Sequence, residues 1–191
     1  MADTPDIEEA AKSHRAVAML IATLALLLAI SDMFGGNADN EAIEHNVRSA
    51  NLWSFYQAKT IRRTTVTTAA EDMDVRLLGV TDPAIKAAME KRIADWRATA
   101  ARYESEPETG EGRKELAARA KQAEEDRMEE KARGDIYDFA SALLQIAIVL
   151  ASAAIITGVG ALAWAAGGLG AIGATLMVIA WKVPNLIGTI F

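Results

Sequence analysis

IYDFASALLQIAIVLASAAIITGVGALAWAAGGLGAIGATLMVIAW, residues 136–181, carries a single charged side chain, Asp138, and is interrupted only at Gly158-Val159-Gly160. On either side of that link the apolar run is about 20 residues long, which at about 1.5 Å per helical residue matches a hydrocarbon core about 30 Å thick. In lipid the backbone has no water to bond to, so such runs fold as helices. The spacing predicts two membrane helices, 136–157 and 161–181, in a tight antiparallel hairpin. Tyr137, Trp164 and Trp181 lie near the ends of these runs, where aromatic rings favour the headgroup region. Pro184 is expected to stop the last helix.

Upstream, AVAMLIATLALLLAISDMF at 16–34 is a third run of spanning length, with Asp32 near its far end. Lys12 and Arg15 before a short apolar core also fit a cleaved signal peptide, but the acidic tail ADTPDIEEA favours a retained anchor. Between anchor and hairpin the composition inverts. Residues 35–135 hold 17 of the 20 Lys and Arg and 20 of the 26 Asp and Glu. The expected fold class is therefore an all-α membrane protein of three transmembrane helices, with an extramembrane helical hairpin between the first and second. A polar N-terminal tail (1–15) and a short C-terminal tail (182–191) complete it.

The charged segment reads as helices throughout. Gly35-Gly36-Asn37 is expected to break the chain after the anchor, with Asn37 or Asp39 capping a helix to about Leu78. Its apolar stripe begins with Ile43, Val47 and Ala50 and resumes with Val66, Ala69 or Ala70, Met73 and Leu77. The β-branched run Thr64-Thr65-Val66-Thr67-Thr68 is a candidate bend. Asp82-Pro83 is a start signal, because Asp caps a helix and Pro at its first position loses no needed hydrogen bond. Ile85, Met89, Ile93, Trp96, Ala100 and Tyr103 then form a seam for packing on the preceding, antiparallel helix. SEPETGEG at 105–112 reads as a linker. A last charged helix, about 113–133, carries mostly alanines and has Glu115 four before Arg119 and Glu129 four before Arg133, the order that supports a helix, on a face expected to be solvated.

Within this segment NLWSFYQAKTIRR, residues 51–63, concentrates aromatics and bases. Trp53, Phe55, Tyr56, Lys59, Arg62 and Arg63 form a candidate interaction surface, standing upright from the membrane or lying flat on it. Phe55, Lys59 and Arg62 share a face at steps of four and three, which favours the upright arrangement, with the aromatics as packing anchors and the bases paired to acids such as Asp95 or Glu104. The longer run NEAIEHNVRSANLWSFYQAKTIRR, 40–63, resembles the signature segment of a bacterial membrane family catalogued as domain of unknown function 4337. YDFASALLQIAIVLASAAIIT, 137–157, is similar to that family's stretch before its closing hairpin. The resemblance covers nearly the whole chain and implies one anchor, a polar helical region and two closing spans, but no activity. Members often carry basic residues between the last two spans; here that link is Thr157-Gly158-Val159-Gly160, so no topology is carried over.

Two intramembrane patterns bear on function. Ala163, Ala166, Gly167, Gly170, Ala171 and Ala174 follow steps of three and four, a small-residue face for helix packing with the second span or with another subunit. Asp138, Ser141, Gln145 and Ser152 form a polar stripe on the second span, which is interhelical glue in one subunit or a pore lining around a ring. Asp32 and Asp138 fall at the same membrane side, as a shared cation or proton site or as acids that reach for water.

Chemistry is otherwise sparsely provisioned. There is no cysteine and only His14 and His45, which removes thiolate chemistry and leaves little for histidine-based catalysis. Glu41, Glu44 and His45 share a helical turn, better explained as ordinary acidic residues at a helix start than as a metal site. Net charge of -6 without a basic stripe argues against nucleic acid. No catalytic residue, cofactor or metal is expected. The sequence points to a non-enzymatic scaffold or accessory subunit, a homo-oligomer or part of a larger membrane complex in contact with lipid; the alternative is a pore or transport component. Lys12 and Arg15 favour an inner-membrane orientation with the tail inside and the central region periplasmic, whereas Lys121, Arg127, Lys131, Arg133 and Lys182 favour the reverse; the first is chosen because loops beyond about 60 residues translocate largely regardless of charge.

Overall fold

The structure, a computed structural model, describes the backbone of residues 4–182 and the side chains of residues 14–182. Four helices follow in order: α1 (Thr4–Leu77), α2 (Pro83–Glu104), α3 (Arg113–Thr157) and α4 (Gly160–Lys182). Among the described residues there is no strand. Helices α1, α3 and α4 are each long and apolar enough to cross a membrane. Pro184 and the C-terminal tail lie outside the described residues, as do the side chains of residues 1–13.

The expected break at Gly35-Gly36-Asn37 is absent, for α1 runs through it without interruption. Two helical glycines each cost about 1 kcal/mol relative to alanine, but packing on α3 outweighs this. A Cβ on Gly35 would lie 3.2 Å from the Tyr137 Cβ, so the missing side chain lets the helices approach. Beyond it Ala38 and Ala42 are buried, and the seam continues. The β-branched run 64–68 likewise stays helical.

The chain divides into two compact units. Of the described residues, the first takes 4–43 and 127–182. Here the apolar parts of α1 and α3 and all of α4 pack around Leu24, Leu144, Ala147, Ala151 and Ala166. Alanine and glycine at the contacts let backbones approach closely, which in the absence of water is the main source of helix attraction. The link to α4 turns at Gly158, whose φ of 71° is left-handed, a conformation that strains residues with a Cβ. Its N–H donates to the Ala154 carbonyl at 3.0 Å. Tyr137 stands near the start of the apolar run of α3. It is buried, stacked on Phe34 with ring centroids 5.9 Å apart, whereas Trp164 and Trp181 are exposed.

The second unit is residues 44–126. It holds the expected antiparallel pair, the second half of α1 with α2, together with the early part of α3. Helix α2 returns antiparallel along α1, with Arg97 paired to Asp74 near the turn and Glu104 to Arg63 farther along. Asp82 caps α2 as expected, accepting from the N–H groups of Ala84 at 2.8 Å and Ile85 at 3.3 Å. Of the expected α2 seam, Ile93 is buried and Ile85 is exposed. The early part of α3, expected to carry a solvated charged face, also supplies a core: Leu116, Ala120 and Ala123 are buried against Leu52, with Trp53 and Tyr56 half-buried beside them. An alanine helix with charged flanks can bury a narrow face that its mean polarity conceals. The α1 stripe is rotated in its first part only, for Ala70 is buried and Val66, Ala69, Met73 and Leu77 half-buried as expected. Ser49, Leu52 and Lys59 face inward, while Val47 and Ala50 face out.

Candidate functional site

Helical spacing decides which side chains of NLWSFYQAKTIRR meet. Ser49, Trp53, Tyr56, Thr60 and Arg63 recur at steps of four and three, one polar edge of α1, and the antiparallel course of α3 brings its acids and Arg113 to that edge. The Trp53 indole N–H donates to Glu124 Oε1 at 2.8 Å, and the Ser49 hydroxyl reaches the same oxygen at 3.4 Å. One turn on, Trp53 and Tyr56 meet edge to face at 5.4 Å. Arg113 is the hub. Its guanidinium donates to Tyr56 Oη at 2.7 Å, Thr60 Oγ1 at 2.9 Å and Glu104 Oε2 at 2.7 Å, and it lies over the Tyr56 ring at 4.9 Å. Arg63 Nε also lies 3.2 Å from Glu104 Oε2. A planar fork with five donors suits this junction, where three helical segments converge on one cation.

Lys59 is the second cation of the cluster and is 5% exposed. Its ammonium lies 3.4 Å from Glu111 Oε2 and 5.4 Å from the ring centroids of both Phe55 and Tyr103. A desolvated ammonium needs such partners, because burial without them is costly. The six residues expected as one surface are thus divided. Lys59 is buried, Trp53, Tyr56 and Arg63 are half-buried, and Phe55 and Arg62 are exposed. Glu104 serves as the expected acid; the Asp95 carbonyl instead accepts from Thr99 of its own helix. Arg113, Glu111 and Glu124 were not foreseen as partners. Their only signal was the polar edge of α1, which needs complements but does not name them.

The segment 105–112, read as a linker, is a folded turn. Gly110 donates to the Glu106 carbonyl at 2.9 Å. The Glu115 carboxylate reaches back from the first turn of α3, accepting from Ser105 Oγ at 2.5 Å and from the Glu106 N–H at 3.2 Å. The Ser105 hydrogen bond is the main cause holding the Glu115 carboxyl below its ordinary range. Glu115 is therefore not engaged as the expected partner of Arg119, which donates to the Gly110 carbonyl at 3.3 Å. A Cβ on Gly112 would collide with Glu115 Oε2 and the Glu106 backbone nitrogen, so the chain crosses itself where only glycine fits. Glu129 and Arg133 do pair, at 3.5 Å, though Arg133 is closer to Glu130, at 2.6 Å. His45 lies 3.8 Å from Asp126, rather than in a group with Glu41 and Glu44.

In the first unit the polar stripe of α3 is also divided. Ser141 is buried and donates to Asp32 Oδ1 at 2.6 Å, and Ser31 donates to the Tyr137 carbonyl at 3.1 Å. Ser152 turns back on its own helix to the Ile148 carbonyl at 2.8 Å. Asp138 and Gln145 are exposed, on the side away from the packed core. Asp138 lies beside Gly35, with 3.7 Å between its Oδ1 and the position of a Gly35 Cβ. On α4, Ala166 and Gly170 are buried, Ala163, Gly167 and Ala174 are half-buried, and Ala171 is exposed. Gly173, outside the expected set, is buried against Leu144. A contact with the second span was foreseen; the contact of Gly170 with Leu24 of α1 was not.

The family model described as domain of unknown function (DUF4337) matches residues 13–183. The chain belongs to this family. No match is found among curated proteins or solved structures. In this DUF4337 chain the aromatic and basic run that carries the resemblance is the inner polar edge of α1. Lys59 pairs with Glu111 of the turn and Arg63 with Glu104 of α2, while Arg62 is exposed.

Proposed function

We propose that this protein is a multi-pass membrane protein of the bacterial inner membrane that works by packing, as an oligomeric scaffold or an accessory subunit of a larger membrane complex. One observation carries the reading. Gln145 lies midway along the apolar stretch of α3, yet its amide is exposed among Ala142, Ile146 and Val149. Facing lipid, a primary amide loses its water and gains nothing, at a cost of several kcal/mol; across a subunit contact it bonds to a neighbour. The exposed glycine and alanine of α4, Gly168 and Ala171, offer a second close-approach surface. The three apolar helices would be the spans, and the charged residues between the first two would be periplasmic.

A second reading is favoured by the exposure of Asp138 two turns before Gln145 on the same face of α3. Repeated around a ring, that face would line a pore or transport path. Native mass spectrometry of the gently extracted protein, with and without Gln145→Leu, separates the two. The scaffold reading expects a discrete oligomer or stoichiometric complex that weakens in the variant. Unchanged assembly with lost ion flux would establish the pore. A monomer in both cases would defeat both readings.

A further inference from the structure

In the first unit the apolar runs of three helices end together. Phe34 closes the run of α1, Tyr137 opens that of α3 and Trp181 closes that of α4, so the alternating course of the helices brings these aromatics to one end of the bundle. There, with Met177 and Val178, they line an open groove of about 260 Å³. Its walls are apolar but for one group. Tyr137 is 4% exposed, and beyond its own helix its carbonyl accepts from Ser31. Its hydroxyl has no hydrogen-bond partner among the described residues, although a buried phenol usually finds one. Beside Trp181 stands Lys182, its ammonium 4.9 Å from the ring centroid. Lys131 and Arg133, the bases that precede Tyr137 on α3, are engaged by Asp135 at 2.8 Å and Glu130 at 2.6 Å. Lys182 has no acidic partner among the described residues.

The place of the groove determines what lies against it. The ends of spans meet the boundary between hydrocarbon and headgroups, where aromatic rings collect, so acyl chains lie toward the helix centres and phosphates beyond the ends. The groove has the same polarity, with Met177 and Val178 inside the apolar run of α4 and Lys182 just past it. We infer that it is a binding site for one anionic phospholipid, an acyl chain lying against Phe34, Met177 and Val178 and the phosphate meeting the Tyr137 hydroxyl and the Lys182 ammonium. The inference rests on the membrane-spanning part of the reading above. An unpaired lysine at a membrane surface attracts anionic headgroups, and Asp138, the acid next to Tyr137, does not line the groove.

To test it, the full chain is freed of lipid in detergent and titrated separately with phosphatidylglycerol and phosphatidylcholine of identical acyl chains, and bound lipid is counted by native mass spectrometry. One phosphatidylglycerol per chain is expected, favoured about five-fold over phosphatidylcholine, the effect of one lysine at a membrane surface. Lys182→Gln should abolish that preference. Tyr137→Phe keeps the ring and should weaken both lipids alike, since both carry a phosphate. Val178→Trp fills the groove from a position 56% exposed and should abolish the tightly bound lipid, whereas Ile172→Trp, at a position 53% exposed outside the groove, should not. Equal binding of the two lipids by the wild type, or equal lipid counts in the two Trp variants, overturns the site. Loss of an oligomer in Val178→Trp with lipid binding unchanged makes the groove a contact between copies and overturns it as well. A chain that washes from its membranes in alkaline carbonate takes the membrane reading down too; if it stays and its assembly responds to Gln145→Leu, that reading stands and only the lipid site falls.

Discussion

At the residue scale, the cluster around Arg113 shows why composition is a poor guide to charge. Arg113 and Lys59 count as two more bases in a polar segment, but their side chains hold α1, α2 and α3 together. Removing one partner from such a cluster leaves the others desolvated, which costs more than the bond itself. Arg113→Ala is expected to destabilise the protein by about 2–3 kcal/mol, whereas Arg62→Ala, on the exposed side, should cost less than about 0.5 kcal/mol. Denaturant titration in detergent, followed by intrinsic tryptophan fluorescence, measures both. Glu115 gives a pH signature. Its carboxyl titrates below its ordinary value of 4.5 when folded, so its stabilising contribution is complete above that value and is lost as pH falls through the lower folded one. The stability difference between wild type and Glu115→Gln should therefore be constant near neutral pH and shrink on acidification below about 4.5. A difference that grew with acid would contradict the Ser105 hydrogen bond as its cause.

At the element scale, helix ends and helix contacts differ in how much of them is local. The cap at Asp82-Pro83 and the left-handed Gly158 are set by residues adjacent in sequence, and both are readable there. The α4 contacts are not. Gly168 and Gly173 are equivalent in sequence, yet a Cβ meets nothing within 4 Å at Gly168 and lies 3.1 Å from Leu144 Cγ and 3.3 Å from the Ala140 carbonyl oxygen at Gly173. Gly173→Leu is expected to force α3 and α4 apart and cost about 1–3 kcal/mol, while Gly168→Ala should be neutral or gain up to about 1 kcal/mol of helix propensity. Thermal unfolding of the two variants in the same detergent compares them. The same logic explains the uninterrupted α1. Gly35 and Gly36 weaken a helix in isolation, but at Gly35 the missing side chain is what admits Tyr137.

At the scale of the whole molecule, the uneven distribution of charge organises the chain, with apolar runs in one unit and the charged middle largely in the other. The assembly proposed above would draw on what the first unit leaves uncovered, Gln145 among apolar neighbours. The sequence by itself determined the helical class, the three apolar runs, the turn at Gly158, the cap at Asp82 and the family. Each depends on run length, period or neighbouring residues, which the order of amino acids contains directly. Tertiary structure alone decided that α1 passes through Gly35-Gly36, that α3 lends Leu116, Ala120 and Arg113 to a core, that 105–112 folds into a turn, and which face of α1 is inward. Periodicity marks a stripe but not its rotation by one position, and Val47 competed with Leu52 on equal terms until α3 was placed against one of them. Partners distant in sequence, such as Trp53 with Glu124 and Asp32 with Ser141, are selected by packing geometry, because burial makes an unpaired polar group costly only once the helices have met.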